Sequence, residues 1–141
     1  MKVNRVYLDA CIVIYYVQQH PRYVDGITRA MLPAKSPKPQ LVVSDLTRLE
    51  CRVFPMRRHD DRLLAEYDAF FTLPAVRHML MDTAVFDLAT RLRAQHNLKT
   101  PDALHLAAAI HAGCQEFWTN DDRLAQAAAG HITLVSFDET Q

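Results

Sequence analysis

The chain has 141 residues, half of them hydrophobic and 23% charged. That is enough for one folded domain with its own core, and it excludes a disordered tract. Lys plus Arg and Asp plus Glu each number 16, so the formal net charge is zero, which by itself disfavours a chain that binds nucleic acid through bulk charge.

No apolar run is long enough to span a membrane. The opening "MKVNRVYLDACIVIYY" carries Asp9 inside its apolar run and lacks a small-residue cleavage site, so it does not read as a secretory leader. Three cysteines (Cys11, Cys51, Cys114) with no C-x-x-C spacing argue against a disulfide framework and for a reducing cytoplasm.

Residues 3–8 are β-rich and mostly apolar, as in a buried strand, and "ACIVIYYVQQH" continues as a helix ending before Pro21. "RYVDGITRAML" suits a second short helix, and "PAKSPKPQ", with three prolines in eight residues, suits a loop. "LVVS" is a short strand whose Ser44 is placed to cap a helix starting at Asp45. Arg48, Arg52, Arg57, Arg58 and Arg62 cluster here, and a solvated helical face is their ordinary reading. A helix over 60–72 and a strand at "AVRHMLM" follow. "DTAVFDLATRLRAQH" is amphipathic, with Val85, Leu88, Ala89 and Leu92 on one stripe.

In "KTPDALHLAAAIHAG", Thr100 is the expected N-cap, Pro101 the first helical residue and Gly113 the stop. "QEFWT" reads as a strand, "DDRLAQAAA" as a helix and "ITLVSF" as the last strand. Strands alternating with helices imply a mostly parallel sheet covered on both faces: an α/β chain forming one domain over residues 1–141. With only three glycines there is no G-x-G-x-x-G or Walker A loop, so nucleotide-cofactor readings fall away.

In an open α/β sheet, sites form at the carboxyl ends of the strands. Asp9 ends the first strand, Asp121 follows "EFWT", Asp102 lies in the first turn of its helix, and Glu50 lies nearly two turns beyond Ser44. Each has a plain structural reading: Asp9 and Asp121 as helix caps, Asp102 as a complement to the helix dipole, Glu50 as a surface residue. Brought together, the four would repel one another unless cations held them, and hard Mg²⁺ or Mn²⁺ suits an all-oxygen set. His105 shares a helix face with Asp102 and could complete a D-x-x-H metal pair, but its Ala-rich surroundings favour a packed histidine. His59-Asp60 lacks the helical scaffold and further histidines of an HD phosphohydrolase. Cys11 and Cys51 read as small buried hydrophobes.

From Tyr7 to Phe137 the chain resembles the PIN-domain ribonucleases, most closely the VapC-like toxins of toxin–antitoxin pairs. "YLDACIVIYY" is similar to the first strand with its metal-binding Asp9, and "VSDLTRLECRV" to the segment carrying the Glu, here Glu50. "KTPDALHLAAAIHAG" places the third acid at Asp102, and "FWTNDDRL" resembles the T-x-D motif, with Thr119 and Asp121. Asp122 stands beside Asp121 as an alternative. Cys11 replaces the Ser, Thr or Asn that the family often has two residues after its first Asp, and a thiol is a poor Mg²⁺ partner.

The resemblance implies a PIN-like three-layer α/β/α sandwich and an Mg²⁺-dependent (or Mn²⁺-dependent) endoribonuclease. Asp9, Asp102 and Asp121 would be its metal ligands, Glu50 would ligate directly or through water, and Thr119 and Asn120 would support them. It also implies an RNA substrate, a cognate antitoxin and a homodimer. "CIVIYYVQQ" and "LTRLECRVFPM" carry more apolar surface than one helix face should bury, which would suit those protein partners. Without the four acids the balance is sixteen bases to twelve acids, so overall neutrality does not exclude RNA. The alternatives are a PIN-like module that holds RNA or protein without cutting, and a phosphohydrolase acting on small molecules.

Overall fold

A computed structural model describes residues 3–138 of the chain. The ends of the expected 1–141 domain, with Glu139 among them, lie outside the described residues. Five strands, β1 (Arg5–Leu8), β2 (Gln40–Ser44), β3 (Val76–Met79), β4 (Glu116–Trp118) and β5 (Thr133–Val135), form one sheet in the order β3-β2-β1-β4-β5. Every pairing is parallel, so the sheet is wholly rather than mostly parallel. The helices are α1 (Ala10–Val17), α2 (Val24–Met31), α3 (Asp45–Arg57), α4 (Asp61–Phe71), α5 (Thr83–His96), α6 (Thr100–His111) and α7 (Ala125–Ala128). No described helix is long and apolar enough to cross a membrane.

Side chains alternate between the faces of a strand, and this builds the two cores. Val6 and Leu8 of β1, with Leu41, Val43 and Trp118, meet Ile12, Val13, Ile27, Tyr67 and Phe70 beneath α1, α2 and α4. Tyr7, with Val42 and Phe117 beside it in register, faces the other way onto Val85, Leu92, Leu106 and Ala107 of α5 and α6. The result is the expected three layers. Ala103, Ala107, Ala108 and Ala109 are all essentially buried, so α6 packs closely on both the sheet and α5. The stripe on α5 is as expected, with Val85, Ala89 and Leu92 buried and Leu88 packed against them.

Three local expectations change. The N-cap of α6 is Lys99, not Thr100: Lys99 is extended and its carbonyl accepts the Ala103 N–H at 3.0 Å, so Thr100 is already helical. The residue before a proline usually disfavours helix, so Thr100 as the first helical residue departs from that preference. "DDRLAQAAA" does not form one helix. The Asp121 side chain accepts the Arg123 N–H and tightens residues Asp122–Leu124 into a 3-10 turn, leaving α7 only four residues long. The apolar surplus expected on α1 is absorbed within the domain, because Ile14, Tyr15, Tyr16 and Val17 all pack against the core. On α3 it is real: Leu49, Val53, Phe54 and Met56 stay 39–56% exposed.

One helix start and one helix stop are as the sequence implies. Ser44 and Thr47 form a reciprocal capping box at the start of α3. Gly113 takes φ +73 just past the end of α6, where a side chain would be strained.

Candidate active site

Strand order reverses between β1 and its two neighbours, and the crevice at the carboxyl ends there is where an open parallel sheet holds its site. Asp9 leaves β1 beside β4, with its backbone N–H donating to the Trp118 carbonyl at 3.1 Å. Its two carboxylate oxygens are used differently. Oδ1 caps α1 by accepting the Ala10 N–H at 2.8 Å, and Oδ2 accepts the Thr119 hydroxyl at 2.7 Å. Asp9 is therefore a cap and a site residue at once.

Thr119 is 2% exposed and ties two acids together, because its Oγ1 also accepts the Asp121 N–H at 3.0 Å. Asp121 in turn caps the 3-10 turn. Asp122 is exposed and forms none of the described side-chain bonds of this edge, whereas Asp121 is joined to Asp9 through Thr119. The bonds of Asn120 run elsewhere: its Oδ1 accepts the Phe137 N–H at 2.7 Å and the Ser136 hydroxyl at 3.2 Å, pinning the segment after β5. The described side-chain bonds of Asn120 thus brace the segment after β5 and not the carboxylates.

Glu50 reaches the same edge from α3. One oxygen or nitrogen from each of Asp9, Glu50 and His105 lies within 4.8 Å of the other two. His105 is 3% exposed, as a packed histidine should be, yet it is not an inert one. Its Nε2 lies 2.6 Å from Glu50 Oε1 and its Nδ1 lies 2.7 Å from the Tyr7 hydroxyl. A carboxylate only accepts, so Nε2 carries the proton. Tyr7 is fully buried and its hydroxyl also meets Ser44 Oγ at 2.8 Å and Thr47 Oγ1 at 3.3 Å. Burial pushes the Tyr7 phenol well above its ordinary range, so it stays protonated.

On the other side, the Arg123 guanidinium grips both oxygens of Asp121 and lies 3.9 Å from Asp102 Oδ2. The bonds from Arg123, ahead of other influences, hold Asp121 below the usual carboxylate range. Asp102 moves the opposite way. Burial raises it first, Asp121 and Asp9 add repulsion, and Arg123, near but not bonded, only partly offsets this. Cys11 Sγ lies 3.8 Å from both Asp9 Oδ2 and Thr119 Oγ1. Burial pushes its thiol up to about 11, so it is a weak S–H donor beside the carboxylate.

The donor set fits a hard divalent cation. Both ring nitrogens of His105 are engaged, which leaves carboxylate oxygens as the available ligands. The position of Arg123 between Asp102 and Asp121 marks a place where the fold seeks positive charge.

The PIN domain family model matches residues 6–130, which contain all four acids. The chain belongs to the PIN domain family. Among solved structures, this PIN domain is similar to VapBC2 from Rickettsia felis bound to a promoter DNA fragment, with TM-score 0.74 and 14% identity over 94% of this chain and 98% of that one. It is similar to a toxin–antitoxin complex from Klebsiella pneumoniae, with TM-score 0.68 and 23% identity over 96% and 99%. It also resembles VapC20 of Mycobacterium tuberculosis, a sarcin–ricin loop cleaving toxin, with TM-score 0.70 and 19% identity over 90% and 96%. At such identities the likeness is one of fold. No curated protein sequence matches the chain.

Sequence reasoning missed the partners of the acids. Arg123 was visible as the lone base after Asp102 in the sequence. Tyr7 was visible as a polar-tipped residue in a buried strand, and His105 as a neighbour of Asp102. None of these signals said which acid each would meet.

Proposed function

We propose that this PIN domain is an Mg²⁺- or Mn²⁺-dependent endoribonuclease and the toxin of a toxin–antitoxin pair. The single observation that carries the reading is the linked set of acids on one edge of the sheet: Asp9 lies close to Glu50, Thr119 joins Asp9 to Asp121, and Arg123 stands between Asp121 and Asp102. A module that only bound RNA or protein would have no use for four gathered carboxylates, whose mutual repulsion costs stability.

Asp9, Asp102 and Asp121 would hold the cation, with Glu50 ligating directly or through water. When bound, such a cation would lower the pKa of a water for attack on the scissile phosphate and would offset charge on the departing 3′ oxygen. Thr119 would fix the Asp9 carboxylate through its bond to Oδ2, and Glu50 Oε2, which His105 leaves free, would be placed to accept a proton. No covalent intermediate with the protein is required, and the family resemblance implies 5′-phosphate and 3′-hydroxyl ends. The arginines of α3 and the start of α4 would meet the RNA backbone.

The antitoxin and a second copy of the chain are the proposed protein partners. The exposed Leu49, Val53, Phe54 and Met56 flank Glu50 on α3 and would receive an apolar helix, whose Lys or Arg would point at the acids. Mixed RNA and a small phosphoester, each with Mg²⁺ and with chelator, beside Asp9→Asn, test the activity. Cleavage of RNA alone, abolished by chelator and by the substitution, is the expected result. Phosphoester hydrolysis alone would favour the small-molecule reading, and no turnover of either the binding module. Sedimentation at micromolar concentration tests the dimer, and co-expression with the neighbouring small gene tests the inhibitor.

A further inference from the structure

We propose that His105 is a positioning residue for Glu50, locked as the Nε2–H tautomer by Tyr7, whose hydroxyl is itself anchored on the capping box of α3. The inference rests on the proposed role of Glu50 and adds a route by which the core of the sheet sets that carboxylate.

The chain of bonds is continuous. Ser44 Oγ and Thr47 Oγ1 stand 2.8 and 3.3 Å from the Tyr7 oxygen, Tyr7 stands 2.7 Å from His105 Nδ1, and His105 Nε2 stands 2.6 Å from Glu50 Oε1. All of these groups but Glu50 are nearly or wholly buried, so each polar atom needs a protein partner. One set of donors satisfies every contact. Ser44 donates to the Tyr7 oxygen, Tyr7 donates to Nδ1, and Nε2–H donates to the carboxylate. With its usual proton retained, the Tyr7 hydroxyl is the donor that Nδ1 requires in that tautomer.

Geometry adds a second reason. The capping box also runs through these hydroxyls, since the Ser44 N–H donates to Thr47 Oγ1 at 3.2 Å and Thr47 N–H to Ser44 Oγ at 3.4 Å. The same two side chains therefore start the helix that carries Glu50 and hold the Tyr7 that orients the ring meeting Glu50. Glu50 is gripped at both ends: its backbone by α3, its Oε1 by His105. A long side chain that would otherwise sample many rotamers is reduced to one, with Oε2 left for cation or water.

The test uses the metal-free protein first. Side-chain ¹⁵N spectra of histidine should report His105 as Nε2–H with a bare Nδ1, and Glu50→Gln should move the Nε2 signal. An Nδ1–H ring in wild type would overturn the proposal with no turnover assay involved. Tyr7→Phe should mix the tautomers, whereas an unchanged spectrum would remove Tyr7 from the relay. With Mg²⁺ and RNA, His105→Leu should lower kcat by about tenfold or more at little changed KM, as expected for the loss of a hydrogen bond to a charged group. His105→Gln, which keeps an amide donor near the Nε2 position, should recover much of that loss. Equal kcat in His105→Leu and wild type would overturn the positioning role, and so would failure of the Gln variant to rise above Leu when both are folded. If wild type cleaves no RNA, the ribonuclease reading fails, while the tautomer spectra still decide the relay.

Discussion

The two sides of the acidic edge are held by opposite means. Glu50 is fastened by His105, which is 3% exposed and backed by the buried hydroxyls of Tyr7, Ser44 and Thr47. Asp121 is fastened by Arg123, only two residues away, whose side chain is 57% exposed. The first arrangement belongs to the core and is made wholly of protein groups. The second is an ion pair facing water, screened by salt, and a cation of higher charge can take its place. Rigid placement is thus given to the group proposed to handle a proton, and exchangeable charge to the groups proposed to bind metal.

The largest effect should come from the acids that both sides serve. Asp9→Asn, Asp102→Asn and Asp121→Asn keep shape and remove charge, and each should lower RNA cleavage about a hundredfold or more, roughly 2.7 kcal/mol of transition-state stabilisation. Wild-type rates in any one variant would take that residue out of the site.

Stability separates the two sides next. Tyr7→Phe leaves His105 Nδ1 and Ser44 Oγ without their shared partner inside the core and should cost about 1–3 kcal/mol in urea unfolding. Arg123→Gln removes an exposed ion pair and should barely move the midpoint. A reversed order would mean that the exposed side, not the buried one, organises the edge.

Cation binding tests the exchangeable side. Millimolar Mg²⁺ or Mn²⁺ should raise the melting temperature of wild type more than that of Asp9→Asn, because a ligand for the native state alone stabilises it. Arg123→Gln should show a larger Mn²⁺ shift than wild type, since it has no resident cation to displace. Equal shifts in all three proteins would reduce the effect to general salt.

The smallest expected effect lies in pH. Asp121 is held below its unfolded value, so its contribution is present above that value and is lost as pH falls through the folded one. Asp102 is raised, so its contribution has the opposite sign: present at low pH and lost as pH rises through its folded value. In chelator the two should partly cancel in wild type. Arg123→Gln removes the cause that lowers Asp121 and the one that restrains Asp102, so its melting temperature should fall further behind wild type as pH rises from about 3 to 6, across the ordinary carboxylate range. A constant gap across that range would separate Arg123 from both carboxylates.

How much of this was legible in the chain follows the range of each interaction. Asp9, Ser44 and Thr119 act on groups within three residues as caps or turn formers, and short-range chemistry writes such roles into sequence. Strand and helix alternation was readable for the same reason, although the cap of α6 falls at Lys99 and the Asp121–Arg123 bond breaks the expected helix after Asp121. The exposed apolar face of α3 was anticipated, while the matching surplus on α1 vanished once α2 and α4 covered it. Whether an apolar side chain is surplus depends on neighbours that lie elsewhere in the chain.

By itself, then, the sequence determined the alternation of strands and helices, the place of Asp9, Asp102 and Asp121 just past a strand or at a helix start, and the chemistry that hard oxygen donors allow. Periodicity, caps and composition act over a few residues, so they survive without the fold. Only the tertiary structure decided which partner each acid has. Tyr7 and His105 stand 98 positions apart, and His105 and Glu50 stand 55 apart. They meet because β1 turns Tyr7 toward α6 while α3 carries Glu50 back over the same edge. Burial then makes those contacts obligatory: a hydroxyl and an imidazole sealed from water must satisfy each other, and the acid at the end of the chain is held in consequence.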